Sequence, residues 1–286
     1  MEIKRVGIVG AGAMGSGVAQ IAAQIGCEVV MRDIENAFVE RGMNGIERFL
    51  SRSVEKGKLD SKEKDAIIGR IEGTTDMAHL KNVDFVIEAV VEDLDLKKKV
   101  FGELDELCRP EVVLASNTSS MSLTEIAAAT NRPDKVCGMH FFNPAPLMKL
   151  VEIVRGYYTS DETIGITADL AKKMGKVTVE VKKDSPGFIV NRIMLPHFLE
   201  AIKMVEEGIA SIEDIDTAVK NGLNYPMGPF ELMDLTGIDI SYFITEYFYK
   251  EMNKELKWVA PSLLKSMIKA GKLGRKTGAG WYDYSK

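Results

Sequence analysis

Apolar residues are grouped in two different ways along this chain, and the grouping changes near residue 186. Before that point, short and nearly continuous apolar runs alternate with longer stretches of helical period. Val6-Gly-Ile-Val9 reads as a buried strand, and Val18, Ala19, Ile21, Ala22 and Ile25 then recur at the spacing of one helix face. Glu28-Val-Val-Met31 is a second strand. Helical stretches over about 35–57 and 61–71 follow, the latter introduced by Asp60-Ser61. Further strands are predicted near 84–90, 112–115, 136–140, 150–154 and 177–181, with helices near 94–107 and 161–174. Strands apolar on both faces and alternating with helices predict a mostly parallel sheet covered on both sides. After Pro186-Gly187, helical stretches near 187–207, 211–221, 229–250 and 261–271 succeed one another with no strand between them. Their starts are marked by Asp184-Ser185 before Pro186, by Ser211 before Glu213-Asp214, and by Pro229 in a first turn.

The first strand runs directly into Gly10-Ala-Gly-Ala-Met-Gly15, a G-x-G-x-x-G spacing followed by a helix. Gly10 permits the tight turn, Gly12 a close approach of backbone to a pyrophosphate, and Gly15 close packing of helix on sheet. In that strand–helix context the motif predicts a dinucleotide site rather than a glycine-rich turn of structural use only. Asp33 ends the second strand, where an acid contacting a ribose is expected. A carboxylate there repels a 2′-phosphate and favours NAD, although Arg32 beside it leaves NADP open. The predicted class is α/β. A Rossmann-type domain spans residues 1–186, with a helical-hairpin insertion at about 35–71, and an all-helical domain for substrate and dimerisation spans 187–286.

Composition narrows the function. With 286 residues, a net charge of −5 and 45% hydrophobic residues, the chain offers no overall attraction for nucleic acid or an anionic membrane. No apolar run reaches the ~18 residues of a membrane span. A strand already occupies the first ten positions, so no leader is expected, and three scattered cysteines without metal spacing fit a reducing, cytoplasmic setting. One local exception to the acidic balance is Arg48, Arg52 and Lys56. Their i, i+4, i+8 spacing makes a positive helix face, which suits either solvation or a polyanionic substrate tail.

Of the three histidines, His79 falls in a loop and His197 within a helix, both without a chemical context. His140 closes a strand and opens the irregular stretch His140-Phe-Phe-Asn-Pro-Ala-Pro146, at the strand end where open α/β sheets bind ligands. An imidazole there can take and return a proton near neutral pH. Glu152 interrupts the apolar strand Leu150-Val-Glu-Ile-Val154. It either points to solvent or pairs with His140, fixing its tautomer. Ser116-Asn-Thr-Ser-Ser120 also follows a strand. Ser122-Leu-Thr-Glu125 has the form of a capping box, so the next helix does not need Ser119 as its cap. Asn191 lies about a turn into the helix after Pro186-Gly187, at the junction of the two domains.

The order of these motifs resembles the 3-hydroxyacyl-CoA dehydrogenase family. The likeness runs from the glycine turn through Ser116–Ser120, His140–Pro146, Met148–Glu152 and Pro186–Arg192 to Tyr225-Pro-Met-Gly-Pro-Phe-Glu231 and Gly274-Arg-Lys-Thr-Gly-Ala-Gly280, covering essentially the whole chain. In length and ending it is similar to the short-chain bacterial members. The resemblance implies NAD-dependent interconversion of acetoacetyl-CoA and (S)-3-hydroxybutyryl-CoA. It assigns His140 as the base, Glu152 as the carboxylate orienting it, and Ser119 and Asn191 as the pair holding the substrate's oxygens. Gly10, Gly12, Ala13, Met14, Gly15, Asp33, Glu92, Lys97, Ser119, Asn143 and Lys276 would line the cofactor, and Lys56, with Arg52 and Arg48, would meet the CoA tail along with Ser119. Phe49 stands where the family can show a polar CoA contact. The expected partner is an acyl-CoA thioester, with no metal, and the expected assembly is a homodimer or higher oligomer through the helical domain. A dehydrogenase of a free hydroxy acid or sugar acid, or a non-catalytic NAD-binding protein, are the alternatives.

Overall fold

The computed structural model describes residues 2–285, which divide between Ser185 and Pro186 into two compact units. The first is built on strand β1 (Arg5–Val9), helix α1 (Ala13–Gln24), β2 (Glu28–Arg32), α2 (Asn36–Glu55), α3 (Ser61–Gly69), β3 (Ile71–Thr74), β4 (Phe85–Glu88) and α4 (Leu94–Leu107). It continues through β5 (Val113–Ser116), α5 (Leu123–Ala127), β6 (Val136–Phe141), β7 (Leu150–Val154), α6 (Asp161–Lys173) and β8 (Val177–Val181). The strands form one 8-stranded sheet in the order β3-β2-β1-β4-β5-β6-β7-β8. Neighbours from β3 through to β6 pair in parallel, as the near-continuous apolar runs require. All four residues of β4 and of β5 are buried, so both faces of the sheet centre are covered.

β7 departs from that direction by running antiparallel to β6, and β8 then pairs in parallel with β7. The segment between Phe141 and Leu150 is too short for a crossover helix, which a parallel return of about a dozen residues or more demands. The helical pair expected over 35–71 is α2 and α3, but it ends at Gly69. Ile71–Thr74 is instead an edge strand that the helical pattern concealed. Gly73 within it accommodates α2, because a Cβ there would lie 2.5 Å from a methyl of Val39.

Chain order puts β1 and β4 side by side although β2 and β3 come between them, so the connections diverge at that seam. Such a divergence leaves a crevice beyond the strands' carboxyl ends. Gly10, Asp33, Ser116 and His140 all stand at or just past those ends.

The second unit contains α7 (Val190–Glu206), α8 (Ile212–Gly222), α9 (Pro229–Thr236), α10 (Ile238–Glu251) and α11 (Ser262–Lys269). The single helix expected over 229–250 is two helices. Gly237, at φ +106, takes a backbone conformation that ends α9 and starts α10. Pro229 sits in the first turn of α9, whose amides at Phe230 and Glu231 donate to the two oxygens of the buried Asp216 at 2.9 and 3.0 Å. The Tyr282 hydroxyl donates to the same carboxylate at 2.8 Å. Asp234 accepts from the amides of Trp281 and Tyr282, each at 2.9 Å, so the end of the chain is tied to α9. Phe230, Met233, Ile238, Phe248 and Trp258 fill the interior of this unit. Among the described residues no helix is long and apolar enough to cross a membrane.

Candidate active site

The glycine turn is shaped by what a side chain would strike. A Cβ on Gly10 would lie 2.5 Å from the Ala89 carbonyl oxygen, and one on Gly15 would lie 1.8 Å from the Gly10 oxygen. Gly12 differs: its missing Cβ faces open space, with nothing within 4 Å. The open position is the one the motif reserves for a pyrophosphate. Ala13 and Met14 form the first residues of α1.

A cavity of about 400 Å³ adjoins this turn, lined by Gly10, Gly12, Asp33, Phe38, Arg41 and Val90 among others. Asp33 is held at its edge by two backbone amides, Ala11 to Oδ2 at 2.6 Å and Ile34 to Oδ1 at 2.7 Å. Arg32 also lines the cavity, while its Nε donates to the Thr75 carbonyl at 3.2 Å. The guanidinium of Arg41 lies 5.5 Å from the ring centre of Phe38, a flat apolar and cationic wall suited to a purine.

A buried ionic network lies beside the turn. Glu88 ends β4 with its carboxylate fully buried, 2.7 Å from the ammonium of Lys97, itself 1% exposed. The second oxygen of Glu88 accepts the Ser116 hydroxyl at 2.6 Å, and the first also accepts the Val90 amide at 2.7 Å. Lys97 reaches Glu92 at 3.5 Å. Glu92 in turn accepts from the Thr118 hydroxyl at 2.9 Å and from the Ser119 amide and hydroxyl at 2.6 and 3.0 Å. Ser119 is thus joined through three carboxyl and ammonium groups to the centre of the sheet. Burying such charges is tolerable only with this degree of pairing. Glu88 is a site residue absent from the sequence-based candidates, although its signal, a carboxylate closing the apolar run Phe85-Val-Ile, is of the same kind as that of Glu152.

His140 and Glu152 are directly opposed residues of the antiparallel β6–β7 pair. The ring Nδ1 lies 2.7 Å from Glu152 Oε2, and the side chains are 6% and 0% exposed. Glu152 therefore does not turn to solvent. Phe142 leans on the imidazole, its ring centre 4.6 Å away at 52°. Register places the two groups together: strand pairing at this position brings opposed Cβ atoms within about 5.5 Å. The Phe141 amide donates to Asn117 Oδ1 at 2.9 Å, which links the His140 strand to the loop of Ser119.

Other predicted residues are placed as follows. Asn143 is exposed on the loop after β6. Asn191 is buried in the first turn of α7. Lys276 belongs to the helical unit, where its ammonium sits 2.5 and 2.6 Å from the two oxygens of Asp239. Arg48 and Arg52 are exposed on α2, and Lys56 caps that helix, also exposed. The three cysteines are free and buried. Burial pushes the Cys108 thiol up to about 11 and that of Cys137 to about 12, so neither is a nucleophile at neutral pH. No cluster of potential metal ligands occurs among the described residues.

Residues 5–185 match the model of the 3-hydroxyacyl-CoA dehydrogenase NAD binding domain, and residues 187–284 match that of the C-terminal domain of the same family. The 3-hydroxybutyryl-CoA dehydrogenase of Clostridioides difficile is 45% identical over 99% of this chain and 100% of its own length. A probable 3-hydroxybutyryl-CoA dehydrogenase of Bacillus subtilis is 46% identical over 100% of this chain and 99% of its own. The crystal structure of (S)-3-hydroxybutyryl-CoA dehydrogenase from Ralstonia eutropha superposes with a TM-score of 0.96 at 46% identity, covering 100% of both chains. Both halves of the chain, the glycine turn with its acid and the helical unit behind Pro186, therefore point the same way, and the chain belongs to the 3-hydroxyacyl-CoA dehydrogenase family of NAD-binding oxidoreductases.

Proposed function

We propose that the protein interconverts acetoacetyl-CoA and (S)-3-hydroxybutyryl-CoA with NAD(H), using His140 as general acid and base. The observation that carries this reading is the buried His140–Glu152 pair at 2.7 Å. An ionised Glu152 keeps the proton of the neutral ring on Nδ1 and assigns proton exchange with substrate to Nε2. The same carboxylate stabilises the imidazolium formed when the 3-hydroxyl is deprotonated. NAD, when bound, supplies the hydride acceptor. In the reducing direction His140 delivers the proton to the carbonyl oxygen. Ser119, whose hydroxyl proton turns from Glu92 to the substrate on binding while its amide stays on Glu92, and Asn191 supply hydrogen bonds to substrate oxygen, an effect of ~3 kcal/mol for one well-aimed donor.

The short acyl chain is supported by the names of the relatives above, which are 3-hydroxybutyryl-CoA dehydrogenases. The two hydrogen bonds from backbone N–H groups that aim the Asp33 carboxylate support NAD over NADP. Arg48, Arg52 and Lys56 are assigned to the CoA tail. A homodimer or higher oligomer through the helical unit is also proposed, and sedimentation should give a mass at least twice the 31.6 kDa of one chain.

The test is consumption of NADH by the purified protein with acetoacetyl-CoA, with acetoacetate and NADPH as controls. Turnover of the thioester that greatly exceeds both controls is expected. Equal rates with acetoacetate would favour the free-acid alternative. No turnover, or full activity in His140→Gln, refutes the reading.

A further inference from the structure

We propose that Lys176 is a positioning residue of the active site, whose buried ammonium clamps the loop joining the His140 strand to the Glu152 strand. Lys176 is 9% exposed and lies just before β8. Its Nζ donates to the carbonyl of Ala145 at 2.6 Å and to that of Met148 at 2.8 Å. Both acceptors belong to the loop between β6 and β7, which also carries Phe142 and Asn143. The turn's own hydrogen bonds, from the Leu147 and Met148 amides to the Pro144 carbonyl at 3.0 Å, serve neither of those carbonyls.

The loop is also held by α1. A Cβ on Gly17 of α1 would lie 3.1 Å from Pro146 and 3.2 Å from Ala145. The loop is thus seated on the helix that begins at the glycine turn, and Lys176 holds two of its carbonyls. Among the described residues no carboxylate forms an ion pair with Lys176, and burial pushes its pKa below the ordinary lysine value. Burying an ammonium without a counter-charge is costly, and a methionine would fill the same space without that cost. What only a donor group supplies is the pair of bonds to the loop. Through them Lys176 sets where Asn143, the residue that the family resemblance assigns to the cofactor, stands and where Phe142 presses on the imidazole.

This inference rests on the reading above for its effect on turnover, but not for its effect on cofactor binding. The experiment compares wild type, Lys176→Met and Lys176→Arg by fluorescence titration with NADH, by steady-state kinetics with acetoacetyl-CoA, and by melting temperature. Lys176→Met should bind NADH at least about tenfold more weakly and turn over at least about tenfold more slowly, because small displacements of positioned groups have effects of this size. Its KM for acetoacetyl-CoA should stay within about twofold of wild type, since the CoA contacts lie elsewhere. Lys176→Arg, which keeps donors in the pocket, should be intermediate in NADH affinity. A Lys176→Met protein with a lowered melting temperature but wild-type NADH affinity and turnover overturns the proposal, leaving the lysine a packing role only. If Lys176→Met does not fold, Lys176→Arg decides: weakened NADH binding at an unchanged melting temperature supports the clamp, and wild-type binding refutes it. A wild-type protein that binds NADH yet fails to reduce acetoacetyl-CoA sinks the functional reading alone, and the NADH titrations still judge the lysine.

Discussion

Two carboxylates interrupt apolar strands of the sheet, and both are fully buried. Glu88 meets an ammonium and a hydroxyl, and so serves to hold Lys97 and the Ser119 loop. Glu152 meets an imidazole, whose charge changes during a proton transfer. The distinction predicts different consequences of neutralising each. Glu152→Gln keeps a hydrogen-bonding group beside Nδ1 but removes the charge that steadies the imidazolium, and its amide can impose the wrong tautomer. Turnover should fall about 10²- to 10⁴-fold while NADH affinity changes little. Single-turnover rates alongside an NADH titration check this, and an unaltered rate removes Glu152 from the mechanism. His140 stands out in the sequence as a candidate because a histidine ending a strand before a proline-rich break has few structural uses. Glu152 was only half readable. Period two sets it opposite Val151 and Ile153, which fits a solvent face as well as a buried one, and only long-range packing decides between them.

Helix α4 shows how an element is finished by residues far from it. Its last turn leaves carbonyl groups without intrahelical partners. Arg132 donates to the carbonyls of Asp105, Cys108 and Arg109, and its Nε lies 2.6 Å from Asp105 Oδ1. Asn131 adds an amide and a side-chain bond to Asp105 Oδ2 at 2.7 and 2.9 Å. Burial pushes the Asp105 carboxyl upward, but bonds from Asn131 and Arg132 outweigh it and hold the pKa below the ordinary value. A depressed folded pKa contributes stability above the unfolded value of about 3.9, and that contribution is lost as pH falls through the folded pKa. Asp105→Asn should therefore lose about 3 kcal/mol at neutral pH, the usual result of breaking a buried pair. Urea unfolding at a series of pH values checks this. The deficit should persist down to about pH 4 and shrink below it, and a deficit independent of pH refutes the ionic account. None of this was legible in the sequence, because Asp105 and Arg132 are joined by folding and not by period. The elements were legible wherever burial matched a period, as in β4 or α4. They failed where one backbone angle decided the outcome, as at Gly237, or where a strand had one buried residue, as in β3.

The chain carries a net charge of −5, yet its proposed substrate is a polyanion. A uniformly acidic surface would slow the approach of CoA, so the arrangement of charge matters more than its sum. Arg48, Arg52 and Lys56 concentrate positive charge along the exposed side of α2 and its end. Among the described residues none of the three has a carboxylate partner to cancel it. The opposite side of the helix buries Val39, Gly42, Ile46 and Leu50, which leaves the cations outward whatever they do. Solvation alone would explain them equally well, and kinetics separate the two readings. Replacing all three by alanine should raise KM for acetoacetyl-CoA about tenfold or more, while KM for NADH and turnover at saturation change little, the signature of lost ground-state binding. The defect should also diminish as salt rises, because exposed charges are screened over about 10 Å at 0.1 M ionic strength. A triple variant with wild-type KM at low salt returns the basic face to the solvent. It would leave the proposed role of His140 untouched, since the imidazole and its carboxylate depend on the sheet and not on α2.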